Sequence, residues 1–99
     1  MNIVKSKNEI PIRLTEERWF HIIEEHNELA GYYYEVLETI ANPQVIYKGK
    51  SGECIALRPI GENKFISAIY RESERDGFVI TAFITSKLKQ FQRRIKLWP

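Results

Sequence analysis

At Asn42-Pro43 the hydrophobic rhythm of this chain changes period, and few folds accommodate that change. Before the proline, apolar side chains recur at helical spacing; after it they alternate in twos, as they do on strands. Helices followed by a run of strands joined by short turns make an α+β domain. The expected architecture is two N-terminal helices packed on a four-stranded antiparallel sheet.

The first helix is expected over residues 15–26. Thr15 is a good N-cap, and Glu16 and Glu17 suit the positive end of the helix dipole, although Arg18 stands where a capping box has Glu. Trp19, Ile22, Ile23 and His26 share one stripe that faces the sheet. His21 lies on the other side of the wheel, nearer to Arg18, Glu24 and Glu25. Gly31 lies in the following turn, and a second helix over residues 32–41 buries Tyr33, Val36, Leu37 and Ile40. Asn42-Pro43 ends it, because the residue before proline avoids the α region.

Strands are expected over residues 45–48, 53–59, 64–71 and 78–85, with glycine-containing turns at 49–52 and 61–64. In the last strand Phe78, Ile80, Ala82 and Ile84 alternate with Val79, Thr81, Phe83 and Thr85. Both faces are largely apolar, which places this strand in the middle of the sheet. Residues 10–14, with Pro11 among them, read as a lead-in or edge strand. Residues 86–99 interleave bases with Leu88, Phe91, Ile95, Leu97 and Trp98, and fit a loop, a helical turn or a final strand.

Ninety-nine residues make one domain, 1–99, with its core over about 10–98. Cys54 is the only cysteine, so no intramolecular disulfide forms, and two histidines are too few for an ordinary zinc site. Neither a metal nor a cofactor is expected. The polar residues 1–9 lack the apolar core of a signal peptide, and no apolar run reaches membrane length, so a cytoplasmic protein is expected. Charge is unevenly placed. Residues 1–77 carry ten Lys/Arg against thirteen Asp/Glu, whereas residues 78–99 carry five Lys/Arg and no acidic residue. A basic end on a near-neutral body suits a polyanion partner, and equally a solvated tail.

Several residues are candidates for chemistry. Imidazole titrates near neutral pH, so His26 and His21 come first. His26 ends the first helix on its sheet-facing stripe, where it can serve a substrate as acid or base, or simply cap the helix. The two are spaced H-x-x-x-x-H, which is not a same-face metal pair. Thr81 and Thr85 share one strand face and can hold phosphate oxygens. Arg58 interrupts an apolar strand and either pairs with a carboxylate or awaits an anion. Tyr70 and Lys48 are further candidates, and Cys54 reads as a core thiol. No Walker, dinucleotide-binding or nucleophile-elbow motif is present.

The run Arg13-Leu14-Thr15-Glu16-Glu17-Arg18-Trp19-Phe20-His21-Ile22, with His26-Asn27-Glu28-Leu29, resembles the opening of small phage-type and cyanobacterial-type proteins. These are grouped with barnase, EndoU, colicin tRNases and RelE. The likeness continues through residues 35–43, through Ile80-Thr81-Ala82-Phe83-Ile84-Thr85-Ser86 and through Arg93-Arg94-Ile95-Lys96-Leu97-Trp98. Asn27 departs from it, since proline is expected after the histidine. The resemblance implies helices before a four-stranded antiparallel sheet and a small metal-independent ribonuclease of the toxin kind. It places active residues on the first helix, on a basic middle strand and on the last strand: His21 or His26, Arg58 or a neighbour, and Thr81 or Thr85. Tyr70 or a tail aromatic such as Trp98 would stack a base, and Lys48, Lys87, Lys89, Arg93, Arg94 and Lys96 would bind RNA, whether tRNA or mRNA. An antitoxin or immunity protein is the implied protein partner. A non-catalytic RNA- or ribosome-binding module, or a protein-interaction module, is the alternative use of such a scaffold.

Overall fold

A side-chain cap starts the first helix, and burial holds both. The computed structural model describes residues 2–99. Helix α1 spans Glu16–Glu25, and the Thr15 hydroxyl accepts the Arg18 N–H at 3.1 Å as its N-cap. Ile22 is its one fully buried side chain, with Trp19 and Ile23 packed partly against the same core. Truncating Ile22 to alanine would cost about 2–5 kcal/mol. A 3₁₀ turn over Asn27–Leu29 and Gly31, whose φ of 90° suits glycine, lead to α2, Tyr33–Ala41. Val36, Leu37 and Ile40 are buried as their spacing requires. Thr39 is buried as well, and its hydroxyl donates to the Glu35 carbonyl at 2.7 Å.

The sheet is larger than the alternation signal shows. It has seven strands, β1 (Asn2–Lys5), β2 (Pro11–Leu14), β3 (Val45–Lys48), β4 (Cys54–Gly61), β5 (Lys64–Glu72), β6 (Gly77–Thr85) and β7 (Lys96–Trp98). Their order is β1-β2-β6-β5-β4-β3-β7. The expected four strands form its antiparallel centre, and the expectation of a four-stranded sheet is corrected by the three short strands added at the edges. Residues 10–14 do form a strand, β2, but β1 pairs outside it, so β2 is internal and not an edge. Strands β1 and β7 are too short for a period to show in the sequence. Parallel pairing of β2 with β6, through Ile12 with Gly77 and Arg13 with Phe78, makes the sheet mixed. Residues 86–99 hold both a 3₁₀ turn, Leu88–Phe91, and the edge strand β7 on β3.

The last long strand, β6, does lie inside the sheet, but its alternation is broken. Ile69 pairs with Thr81 and Tyr70 with Val79, so Ile80 is an extra residue bulged out of register. Val79 therefore joins Ala82 and Ile84 on the helix-side core, instead of sharing a face with Thr81, Phe83 and Thr85.

Two clusters cover the two sides of the sheet. One lies under the helices and includes Leu14, Ile22, Val36, Ile40, Ile66 and Tyr70. The other gathers Ile55, Leu57 and Phe91 on the reverse face, with Tyr47, Phe65, Ile69, Phe83 and Leu88 packed against them. Helix α2 contacts β1, β4 and β5, so the sheet curls around it. The curl brings the two ends of the strand order together: Lys7, after β1, sits 4.8 Å over the Trp98 ring in β7. No helix among the described residues is long and apolar enough to cross a membrane.

Candidate functional site

The short reach of β2 creates the site. It pairs with β6 only as far as Phe78, and at Thr15 the chain turns into α1. Helix α1 then packs on β6 where β2 has left it. Between them lies a groove of about 390 Å³, lined by Arg18, His21, Ile22, Glu25, His26, Ile80, Thr81 and Phe83. A neighbouring hollow of about 350 Å³ shares Arg18, His21 and Glu25, so these three form the rim between the two.

Both histidines reach this groove. His26 occupies its inner end, with its ring centroid 5.9 Å from that of Phe83 and the planes tilted by 39°. Its Nδ1 is 3.8 Å from a Glu28 carboxylate oxygen, an ion-pair distance when the ring is protonated and too long for a hydrogen bond. His26 also serves the backbone: its N–H donates to the Ile22 carbonyl and its own carbonyl accepts from Leu29. His21 is exposed, as its wheel position requires, yet it stands on the groove's rim. A helix is narrow enough that side chains on two of its faces can straddle a cleft beside it. Thr81 lines the strand wall, and the bulged Ile80 fills the same wall.

The other expected site residues lie elsewhere. Arg58, on β4, donates to the Asn42 carbonyl at 2.5 Å and so satisfies the C-terminus of α2. Arg18 is the guanidinium at the groove. Tyr70 is 1% exposed within the helix-side core, and burial, with Cys54 and Glu72 beside it, pushes its phenol far above the ordinary range. A ring so enclosed has no face to offer a base. Thr85 shapes the chain reversal after β6: its hydroxyl oxygen accepts from the Lys87 N–H at 3.0 Å and from Gln90 Nε2 at 3.4 Å.

Of the basic tail, Lys87 and Lys89 line a hollow at the far end of β6, and Lys96 lines another beside β3. Arg93 is exposed and Arg94 half-buried. Lys48 is exposed on β3, on the opposite side of β4 from the groove strand. Trp98 packs partly against the core beneath Lys7. Among the described residues no three His, Cys, Asp or Glu side chains are grouped as a metal site.

Comparison with family models, curated proteins and solved structures gave no match. The chemistry of the groove is the remaining guide. It offers two imidazoles, a guanidinium, a hydroxyl and a carboxylate around an apolar floor of Ile22, Ile80 and Phe83. Arg18 and Glu25 were not singled out by sequence reasoning. Their signal was present: Arg18, His21 and Glu25 repeat at i, i+3, i+7, a second stripe on α1 beside the apolar one.

Proposed function

We propose that this chain is a metal-independent endoribonuclease that cleaves RNA through the ribose 2′-hydroxyl. The observation that carries the reading is the pair of histidines in one groove with Arg18 and Thr81. This chemistry needs a base, an acid and charge stabilisation, and the nucleophile belongs to the substrate.

In the proposed sequence, His26 takes the 2′-hydroxyl proton as the 2′-oxygen bonds to phosphorus. Arg18 stabilises the extra negative charge of the pentavalent phosphorane, and the Thr81 hydroxyl donates to one of its oxygens. The bond from phosphorus to the 5′-oxygen then breaks, and His21, at the open rim, gives that oxygen a proton. The products are a 2′,3′-cyclic phosphate and a 5′-hydroxyl. The family resemblance of the first helix and last strand points the same way.

The test is incubation of the protein with labelled tRNA and total RNA in EDTA, beside His26→Ala and His21→Ala. Cleavage leaving cyclic phosphate ends, reduced by about 10²–10⁴-fold in each variant, is the expected result. Salt-dependent retention of RNA with no product would instead favour a binding module.

A further inference from the structure

A hollow of about 620 Å³ lies at the far end of β6 from the histidines. It is lined by Phe65 and Leu88 as apolar surface, Asn63, Ser86 and Gln90 as hydrogen-bonding groups, and the ammonium groups of Lys87 and Lys89. No carboxylate lines it, and residues 78–99 contain none; Glu62, beside Asn63 in the β4–β5 turn, is the nearest in sequence. An aromatic ring, amide groups and two cations in one hollow of this size are the chemistry that recognises a nucleotide.

Its position along β6 connects it to the groove. Phe65 pairs with Thr85, and Thr85 lies on the strand face that carries Thr81 and Phe83. Thr81 and Thr85 are about 13 Å apart along a strand rising about 3.3 Å per residue. An extended strand seated on the groove at Thr81 and running along β6 over Phe83 would arrive at Phe65. The hydrogen bonds that Lys87 and Gln90 make to Thr85 hold the reversal that presents the two lysines.

We infer that this hollow is a subsite for a nucleotide flanking the cleaved one in single-stranded RNA. Its base lies on Phe65, its edge is met by Asn63 and Gln90, and its phosphate is met by Lys87 and Lys89. The identity of the ligand as RNA rests on the ribonuclease reading. The binding test is therefore made on an RNA that this chemistry cannot cut.

A fluorescein-labelled 2′-O-methyl octanucleotide lacks the 2′-hydroxyl nucleophile, and its affinity is read by fluorescence anisotropy across a salt series. Phe65→Leu, which keeps an apolar side chain on the reverse-face core, is expected to weaken binding by about 5- to 150-fold. The double variant Lys87→Gln/Lys89→Gln sits on the surface and leaves the core intact. It is expected to reduce the slope of log affinity against log salt by about 1.4, or about 0.7 per released charge. Wild-type affinity and slope in both variants would overturn the subsite, even if the protein cleaves RNA. No measurable binding by the wild type at low salt would also overturn it. Binding that depends on Phe65 and the lysines in a protein that cuts no RNA would uphold the hollow as a nucleotide-binding site while removing the nuclease reading.

Discussion

The imidazole of His26 lies against the ring of Phe83, with centroids 5.9 Å apart. One residue ends α1 and the other lies in β6, so the contact joins the two walls of the groove. An aromatic neighbour restricts the imidazole's rotation, and a proton-transfer group works only when its nitrogen is aimed.

The contact implies coupling between the two positions. Phe83→Leu is expected to lower kcat for RNA cleavage by about 10- to 100-fold through misplacement of the imidazole. The double variant with His26→Ala should cut no more slowly than His26→Ala alone, because the ring acts through the histidine. Fully additive losses in a double-mutant cycle would show that Phe83 acts by itself.

Gly77 stands where β2 and β6 meet in parallel, opposite Ile12. A methyl group there would collide with the Arg71 carbonyl oxygen and the Ile12 side chain. Since the first contact is backbone, it cannot swing away. Gly77→Ala is expected to destabilise the fold by about 1–3 kcal/mol in urea unfolding. An unchanged midpoint would mean that the strand pair separates at little cost.

Asp76 precedes that junction. A hydrogen bond from Arg13 and one from the Gly77 N–H hold its carboxyl below the usual carboxylate range. A depressed folded-state value contributes stability above the unfolded value, near pH 3.8, and loses it as pH falls through the folded value. Asp76→Asn should therefore have a lower Tm than wild type at pH 7, with the gap closing as pH falls below the unfolded value. A gap that persists in acid would assign the effect to packing.

Burial, followed by the charge of Glu72, pushes the Cys54 thiol up to about 11. Thiolate is the reactive form, so the native protein should resist iodoacetamide at pH 8 and react fully in guanidinium. Rapid native alkylation would show that the hairpin tip over Cys54, where Ser6 and Asn8 bond to Glu72, opens readily.

Much of the frame was legible in the sequence, because local periodicity and local chemistry act over one or two turns. The Thr15 cap, the Ile22 and Ile40 stripes and the stop at Pro43 follow from neighbours in the chain. The long strands follow from alternation. The bulge at Ile80 did not, because register is a property of a strand pair, and the partner pairing across Ile69 and Tyr70 is invisible in β6 alone. Short β1 and β7 were equally hidden, since a few residues carry no measurable period.

The same division runs through the site. By itself the sequence determined which groups were available: two histidines on one helix, hydroxyls on the last long strand and a basic end. Only the tertiary structure decided which of them meet. Because the pairing of β2 with β6 stops at Phe78, α1 packs along β6, so His21, His26, Arg18 and Thr81 share a groove. Because the helices cover the sheet face that carries Arg58 and Tyr70, Arg58 bonds the end of α2 and Tyr70 is buried in the core. A side chain's type is written in the chain, but its company depends on pairings between residues far apart in sequence.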